Sequence, residues 1–239
     1  MITGASSGIG AAIAVAMAAA GARTVLVGRS HERLEETSTK VEQVGAPAVT
    51  VQGDLTDEQT PQRIVDETLA AFGSLDVLVH SAGIFEPMPF LETPIETFDR
   101  QWAVNVRAPY ALTQAAVPHM DRDGSILFIS SIAGHVGFPN SAAYCATKGA
   151  VELMARGLSM ELAPKGIRVN ALAPGNIRTP MNEHLLASPE YEQTMIDRTP
   201  YGRVGLVEDV APVAVFLCSD AARYIHGESL LVDGGWVAQ

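Results

Sequence analysis

Short apolar runs alternate with longer amphipathic segments along the chain. The runs are rich in Val, Ile and Leu, as between Val77 and His80, and the segments between them repeat apolar side chains at helical spacing. Parallel strands that are buried on both faces have this continuous apolar character, and the connecting helices cover both faces of their sheet. The pattern therefore predicts an α/β fold, a doubly wound parallel sheet in three layers that forms a single domain over residues 1–239.

The same pattern predicts the bounds of the elements. Strands are expected at residues 24–27, 48–52, 77–80, 125–129, 168–172 and 229–232. Helices are expected at residues 8–22, 32–44, 58–72, 95–118, 142–163 and 207–219. Asp57 is the expected N-cap of the third helix. Because the chain starts Met1-Ile2-Thr3, we expect the central strand to be stunted and the sheet weakened there, or the start to be clipped.

One stretch, at about residues 177–205, interrupts this rhythm. It holds Pro180, Pro189 and Pro200 among Met, His, Leu and charged residues. A long irregular insertion in a compact domain is usually a lid or a binding loop. We interpret this stretch as a substrate-loop insertion, and the alternative is a surface excursion with no role.

Three glycines, Gly4, Gly8 and Gly10, stand directly before the first predicted helix. Missing side chains let a backbone turn approach a phosphate, and a helix N-terminus offers free N–H groups and a partial positive charge. The position of this turn ahead of a strand-helix-strand pattern predicts a dinucleotide-binding site in a Rossmann-type sheet.

The end of the second predicted strand indicates which dinucleotide binds. Folds of this kind place an acidic residue there to bond the ribose 2′-hydroxyl of NAD, whereas an arginine accommodates the 2′-phosphate of NADP. Here the strand is followed by Arg29, whose guanidinium stays charged and matches a phosphate bidentately. We therefore predict NADP(H) in preference to NAD(H), with NAD(H) possible; the alternative is that Arg29 only faces solvent.

Tyr144 and Lys148 lie one helical turn apart in a predicted helix, which places them on one face. A phenol near its usual pKa of about 10 exchanges protons poorly at neutral pH. A nearby ammonium group stabilises the phenolate, so we expect Lys148 to lower the pKa of Tyr144 toward the range of a general acid or base. Either Ser130 or Ser131, just beyond the strand that ends at Ile129, could donate to a substrate carbonyl, and spacing alone does not choose between them.

Composition excludes several other classes of function. The formal net charge of −11 disfavours nucleic acids and anionic membranes as partners. Two cysteines, Cys145 and Cys218, form no C-x-x-C pair and no disulfide framework, which fits a cytoplasmic protein. The histidines are scattered, so no metal site is predicted. The apolar run from Gly8 lacks a basic flank and is too short for a membrane span.

These motifs together resemble the short-chain dehydrogenase/reductase family, over essentially the whole chain. Besides the glycine turn and the Tyr-Lys pair, the family order is matched by Gly53-Asp54, Ala82-Gly83, Asn105-Val106, Ser131, Pro174-Gly175 and Val232-Asp233-Gly234-Gly235. The resemblance implies an NADP(H)-dependent oxidoreductase that moves hydride between nicotinamide and a carbonyl or secondary alcohol. It also implies a homotetramer, built through the helix near Tyr144 and the C-terminal segment.

The resemblance further implies residue roles. Ser131 would orient the substrate carbonyl, Tyr144 exchange the proton, Lys148 bind the nicotinamide ribose, and Asn105 hold a water in the proton relay. The other implied cofactor contacts are Gly4, Ser6, Ser7, Gly8, Ile9, Gly10, Arg29, Ser30, Asp54, Leu55, Ser81, Ala82, Gly83, Pro174, Gly175, Ile177 and Thr179. The side chains expected around the substrate are Phe85, Met88, His135, Val136, Phe138, Met181 and His184.

One departure from the family and several alternatives stay open. Where the family commonly has Asn-Asn-Ala-Gly, this chain has His80-Ser81-Ala82-Gly83, so we expect altered local hydrogen bonding with catalysis kept. Likeness to 3-oxoacyl-thioester reductases and to sugar or polyol dehydrogenases is about equal, and an NAD-dependent sugar, polyol or steroid-like alcohol dehydrogenase is the alternative.

Two hypotheses lie outside that choice. A cofactor-binding regulator without turnover would share the fold, but the intact catalytic set argues against it. A sugar-nucleotide epimerase would need different glycine spacing and a larger C-terminal part.

Overall fold

The computed structural model describes residues 1–238 and shows a parallel sheet with helices on both faces. Seven strands form the sheet in this part of the chain: β1 (Ile2–Thr3), β2 (Thr24–Gly28), β3 (Ala48–Gln52), β4 (Val77–His80), β5 (Ser125–Ile129), β6 (Arg168–Pro174) and β7 (Ser229–Val232). Their order across the sheet is β3-β2-β1-β4-β5-β6-β7, with every pair parallel. The chain winds outward from β1 and then returns to β4, so the predicted doubly wound fold is confirmed.

Nine helices accompany these strands within residues 1–238. They are α1 (Gly8–Ala19), α2 (His31–Gln43), α3 (Thr60–Phe72), α4 (Ile95–Trp102), α5 (Ala108–Ala116), α6 (Ala142–Leu162), α7 (Glu183–Leu186), α8 (Pro189–Asp197) and α9 (Val207–Cys218). None of them combines the length and the apolar character that crossing a membrane requires.

Each face of the sheet buries its own apolar core. Successive side chains of a strand point to opposite faces, so Val25 and Val27 of β2 join one core and Leu26 joins the other. The first core is covered by α3, α5 and α6, and the second by α1, α2 and α9. Strands buried on both faces explain why the sequence shows apolar runs rather than alternation.

Several element bounds differ from the sequence predictions. Asp57 is not the N-cap of α3, which begins at Thr60 after Gln59; the Asp57 carbonyl instead accepts a hydrogen bond from the Thr60 N–H. The helix predicted at 95–118 is divided by a π-helical turn at Ala103–Arg107. Pro109 follows that turn, and because it has no N–H it cannot give the Asn105 carbonyl its usual α-helical bond.

The insertion at 177–205 is more regular than predicted, since it contains α7 and α8. Ser188 caps α8 by accepting a hydrogen bond from the Tyr191 N–H at 3.3 Å, and Pro189 is the first helical residue. Proline is favoured at that position because the missing N–H would have no partner there. The sequence predicted an irregular insertion around this proline, whereas Pro189 begins a helix.

β1 has two residues and lies at the centre of the sheet. Ile2 and Thr3 are buried, and they pair with β2 on one side and β4 on the other. The turn that follows β1 therefore starts at the point where the strand order reverses, and ligands of open α/β sheets bind there.

Candidate active site

A cavity of about 770 Å³ opens at the carboxyl ends of the strands. The segments that follow β1, β2, β3, β4, β5 and β6 all contribute to its wall. The predicted site residues that line it are Gly4, Ser6, Ser7, Gly8, Ile9, Gly10, Arg29, Asp54, Leu55, Ser81, Ala82, Gly83, Ser131, Tyr144, Lys148, Pro174, Gly175, Ile177 and Thr179. Two predicted residues, Ser30 and Asn105, lie outside that wall.

The three glycines of the turn occupy positions where a side chain would be strained or would meet a neighbouring residue. Gly4 and Gly8 have φ angles of 67° and 56°, which side chains disfavour. A Cβ on Gly10 would lie 2.3 Å from the Gly4 carbonyl oxygen, and one on Gly4 would lie 2.8 Å from the Ala82 backbone. Ser7, the N-cap of α1, makes no side-chain capping bond, and the first turn of α1 holds no acidic residue. Backbone N–H groups at this helix start are therefore suited to bind a phosphate group.

Two arginines face the cavity beyond the end of β2. Arg29 follows the strand directly, and Arg33 lies in the first turn of α2. Arg33 was not among the residues predicted from the sequence. Its position four residues after Arg29 could have indicated a second positive charge near the end of β2. Ser30 caps α2 by accepting a hydrogen bond from the Arg33 N–H at 3.4 Å. It does not line the cavity, and its expected cofactor contact stays a prediction.

Asp54 lies across from these arginines on the segment after β3. Its Oδ1 accepts hydrogen bonds from the Thr56 N–H at 2.9 Å and the Thr56 hydroxyl at 2.7 Å. The backbone bond from Thr56 is the first cause, and the hydroxyl bond the second, that hold the pKa of Asp54 below its ordinary value. Asp54 is therefore a fixed anion in the cavity wall.

Tyr144, Ser131 and Lys148 meet in the middle of the cavity. Burial raises the pKa of Tyr144 to about 12, and a hydrogen bond between its side chain and that of Ser131 opposes the rise. Lys148 donates from Nζ to the Ile129 carbonyl at 2.8 Å, and Nζ lies 5.6 Å from the centre of the Tyr144 ring. Our expectation that Lys148 lowers this pKa is therefore wrong for this geometry, because burial outweighs an ammonium group directed elsewhere.

Lys148 itself is buried, and this burial lowers its pKa to about 8, while the charge of Glu152 opposes the shift.

The two candidate serines, Ser130 and Ser131, have different hydrogen-bond partners. The Ser130 hydroxyl donates to the Lys148 carbonyl at 3.4 Å. Ser131 is the serine that bonds Tyr144, and its Oγ accepts a hydrogen bond from the Ala133 N–H at 3.1 Å.

The side chain of Asn105 is fully engaged by the protein. Its Nδ2 donates to the Ile84 carbonyl at 2.9 Å and to the Thr147 hydroxyl at 3.1 Å, and its Oδ1 accepts from the Ile84 N–H at 2.8 Å. These bonds fasten the π-helical turn to the segment after β4 and to α6. The Asn105 side chain therefore has a structural role here and does not line the cavity.

His80 replaces the first amide of the family pattern and is buried under the cavity. Its Nε2 lies 2.8 Å from Thr113 Oγ1, and its ring stacks on Phe128 with centroids 4.7 Å apart. Because the Thr113 hydroxyl donates to the Pro109 carbonyl, Nε2 must carry the proton, which leaves Nδ1 as a buried acceptor without a partner. Burial lowers the pKa of His80 to about 3. The expected change in local hydrogen bonding relative to the family stays a prediction.

Of the side chains expected around a substrate, Phe85, Met88, Phe138 and Met181 line the cavity. His135, Val136 and His184 do not, which corrects the prediction. His135 instead turns toward β7 and α6, with Nε2 3.0 Å from Ser229 Oγ and 3.3 Å from Glu152 Oε1. No periodicity predicts which side chains of the insertion line the cavity, and the sequence analysis did not include Leu185, Tyr191, Met195 and Arg198.

No cluster of three or more His, Cys, Asp or Glu side chains that could hold a metal ion occurs among residues 1–238. The polar groups of the cavity are instead suited to phosphates, to a ribose and to the oxygen of an alcohol or carbonyl. A fold of this topology with such a group of side chains defines the class of nicotinamide-dependent oxidoreductases.

Known proteins agree with that class. Residues 4–237 match the family model described as Enoyl-(Acyl carrier protein) reductase. The chain is 39% identical to the L-rhamnose 1-dehydrogenase (NAD(P)(+)) of Sphingomonas sp. (strain SKA58), covering 98% of this chain and 94% of the relative. It is 36% identical to the 7alpha-hydroxysteroid dehydrogenase of Escherichia coli (strain K12), covering 100% of this chain and 94% of the relative.

A solved structure from Beutenbergia cavernae superposes with a TM-score of 0.94 at 39% identity, covering 100% of this chain and 96% of that one. Its proposed activity is that of an NAD(P)-dependent gluconate 5-dehydrogenase, and it contains NADP at low occupancy. This chain belongs to the short-chain dehydrogenase/reductase family. It is an NAD(P)-dependent oxidoreductase that acts on CH–OH groups.

Proposed function

We propose that this enzyme uses NADP(H) to interconvert a secondary alcohol and its carbonyl compound, with Tyr144 exchanging the proton. The observation that carries the proposal is the contact between the Tyr144 and Ser131 side chains inside the cavity, beside Lys148. Two hydroxyl groups that meet there can hold one substrate oxygen between them. A regulator without turnover would have no use for such a pair.

The residues around the cavity fit the dinucleotide. The N-terminus of α1 and the glycine turn before it would hold the pyrophosphate. Arg29 and Arg33 would hold the 2′-phosphate. Lys148 would bind the nicotinamide ribose, and Ile177 and Thr179 the carboxamide. When bound, the cofactor supplies or accepts the hydride. We call this part of the wall, at residues 4–10, 28–33, 53–56, 81–84 and 174–180, the cofactor side.

Proton transfer follows from the pKa of Tyr144. Because its pKa is raised to about 12, the Tyr144 hydroxyl keeps its proton at neutral pH and can give it to a carbonyl oxygen that Ser131 orients. Alcohol oxidation needs the phenolate, so its kcat/KM should rise with pH through the alkaline range, whereas the kcat/KM of carbonyl reduction should not.

The Asn105 side chain is occupied by bonds to Ile84 and Thr147. The Asn105 backbone carbonyl would therefore hold the water of the proton relay.

The relatives support a CH–OH substrate and favour the alternative reading of a sugar or steroid-like alcohol over a 3-oxoacyl thioester. One acts on L-rhamnose and another on a 7α-hydroxysteroid. The arginine pair supports NADP(H), and the relative from Beutenbergia cavernae contains NADP. The residues from 177 to 205 would form the substrate loop.

We also propose the homotetramer that the family resemblance implies. Leu153 and Met160 are exposed apolar side chains on α6, and Leu231 is partly exposed on β7. Free Cys145 and Cys218 support a cytoplasmic location. Light scattering of the purified protein tests the assembly, and a monomeric mass would overturn it.

The proposed reaction is tested with the Tyr144→Phe variant. We expect kcat for NADPH-dependent ketone reduction to fall about 10²–10⁴-fold, as for loss of a general acid, with the dissociation constant of NADPH unchanged within about twofold because the cofactor contacts remain. Tyr224→Phe, at a fully exposed tyrosine, is the matched control. Full activity of Tyr144→Phe would refute the assigned role, and NADPH binding without turnover of any carbonyl by the wild type would favour a regulator.

A further inference from the structure

The part of the cavity beyond Tyr144 is walled by apolar side chains. Phe85 and Met88 come from the segment after β4, Phe138 from the segment before α6, and Met181, Leu185 and Met195 from the insertion. The Phe85 ring meets the Tyr144 ring edge-on, with centroids 4.8 Å apart. Apolar surface therefore reaches the catalytic tyrosine itself. We call this wall, at residues 85–89, 131–141 and 181–198, the substrate side.

A third apolar cluster, separate from the two sheet cores, supports this wall. It consists of Ile132, Leu186, Met195, Val204 and Trp236, all buried, and Phe138 packs against it. The Phe138 and Trp236 rings are stacked with centroids 5.8 Å apart. Phe138 therefore belongs both to the cavity wall and to a buried apolar cluster of the fold.

Several polar side chains on this side are occupied by the protein. Asn182 donates to the Ile177 carbonyl at 2.9 Å and accepts from the N–H and the hydroxyl of Thr179 at 3.0 and 3.1 Å. The Ser141 hydroxyl donates to the Pro139 carbonyl at 3.1 Å. The guanidinium of Arg198 lies over the Trp236 ring, 4.5 Å from its centroid, and covers the cluster.

Carboxylates are similarly scarce. Asp54, on the cofactor side, is the one Asp or Glu among the cavity-lining residues that the structure describes. A sugar brings several hydroxyl groups, each of which loses water on binding and needs a partner in return. On the substrate side such partners include the Tyr144–Ser131 pair, Asn140 and Tyr191.

We propose that the substrate is an apolar secondary alcohol, or its ketone, with a cyclic or branched hydrocarbon body and no hydroxyl beside the carbinol. The inference rests on the proposed function, since it assumes that Tyr144 and Ser131 hold the reacting oxygen. It selects one class from the sugar, polyol and steroid-like alcohols that share this chemistry.

A matched series of alcohols tests the proposal on the wild-type enzyme with NADP⁺. Cyclohexanol, 1,2-cyclohexanediol and myo-inositol share one ring and differ in the number of hydroxyl groups, and L-rhamnose represents the sugars. We expect kcat/KM to fall by about tenfold or more from cyclohexanol to the diol and again to myo-inositol, because each added hydroxyl lacks a partner. Equal or faster oxidation of myo-inositol or L-rhamnose would overturn the proposal.

A substitution in the cavity wall tests whether Met181 contributes to the preference for an apolar alcohol. Met181 is 43% exposed, so Met181→Gln should fold, and we expect it to lower kcat/KM for cyclohexanol by about 3–10-fold while leaving that for myo-inositol unchanged or raised. Val44→Gln, at an apolar residue with the same 43% exposure that does not line the cavity, is the control. An equal loss for both alcohols would contradict an apolar contact at Met181.

Binding is followed separately by calorimetry of cyclohexanone with NADPH-loaded Tyr144→Phe. Binding of cyclohexanone but not of L-rhamnose supports the proposal, and the reverse overturns it. If NADPH binds but no alcohol or ketone of the series is turned over by the wild type, the proposed function fails together with the inference. If sugars alone react, only the inference fails.

Discussion

The cofactor side and the substrate side of the cavity use different parts of the polypeptide. The cofactor side is shaped by backbone, with Gly4 and Gly8 at positive φ and the start of α1 aimed at the cavity. The substrate side is shaped by side chains such as Phe138 and Met181 on connecting segments. A backbone cradle tolerates few substitutions, whereas side chains on loops can change without disturbing the sheet. One fold can therefore keep its cofactor while its substrate changes.

Gly10→Ala should break the cofactor side most severely. The added Cβ would lie 2.3 Å from the Gly4 carbonyl oxygen, so the turn must shift. We expect NADPH to bind at least about 100-fold more weakly, about 2.7 kcal/mol, when measured by calorimetry. Gly137→Ala, at an exposed loop site where the new Cβ meets nothing, is the control and should keep the wild-type affinity for NADPH. Wild-type affinity in Gly10→Ala would contradict the backbone cradle.

His80 should make the sheet beneath the cofactor side sensitive to acid. Its pKa is lowered to about 3 in the folded protein, whereas the unfolded chain takes up the proton near pH 6.5. The stabilisation is therefore complete above about pH 6.5 and is lost as pH falls from there toward 3, by at most about 1.4 kcal/mol per pH unit.

The measurement is urea unfolding of wild type and His80→Gln at pH 7.5 and pH 5. The free energy of unfolding of the wild type should fall by about 2 kcal/mol more than that of the variant. His31→Gln, at an exposed histidine, should behave as the wild type. Parallel curves for His80→Gln and wild type would show that His80 is not the buried neutral group.

The double substitution of Arg29→Ala and Arg33→Ala should weaken the binding of NADPH while leaving that of NADH nearly unchanged. We expect NADPH to bind about 10–100-fold more weakly, because a charge-assisted bond to the 2′-phosphate contributes about 1.5–3 kcal/mol. NADH should bind within about twofold of wild type, and the salt dependence of NADPH binding should decrease. Lys40→Ala, on the last turn of α2, is the control. Equal weakening of NADH would refute recognition of the 2′-phosphate.

Asn182→Ala should have the smallest effect and act on the substrate side. Its side chain ties together Ile177, Thr179 and the start of the insertion. Losing these bonds should raise KM for the alcohol by about 3–10-fold, corresponding to about 1 kcal/mol, with a smaller change in NADPH affinity. Limited proteolysis should cut residues 183–198 faster. An unchanged KM together with slow cleavage would show that Asn182 does not hold the insertion.

Local signals were enough to predict that the glycine turn, Arg29, Tyr144 and Lys148 belong to one site, and all of them line the cavity. The glycine turn, Arg29 and the Tyr144–Lys148 spacing each express their geometry over a few neighbouring residues, and the apolar runs predicted the sheet. Arg33 was not predicted because a surface arginine on a helix is common, although it lies only four residues after Arg29.

The remaining features depend on contacts between distant parts of the chain. The raised pKa of Tyr144 comes from burial by several segments, and no pair spacing contains that information. The π-helical turn depends on Asn105 reaching Ile84, and the substrate-side positions of Leu185 and Met195 depend on how the insertion folds back. A helix cap and a ligand contact look alike in sequence, so the sequence alone could not show that Ser30 caps α2.

The central position of β1 has a consequence for the order of folding. Ile2 and Thr3 pair with β2 and with β4, and the Thr3 hydroxyl accepts hydrogen bonds from the Ser81 and Ala82 N–H groups, both at 3.1 Å. Contacts between such distant residues form slowly because a long loop must close first. The turn at Gly4 is therefore fixed only once β4 has docked beside β1. NADPH added during refolding should bind in the last kinetic phase and report completion of the sheet.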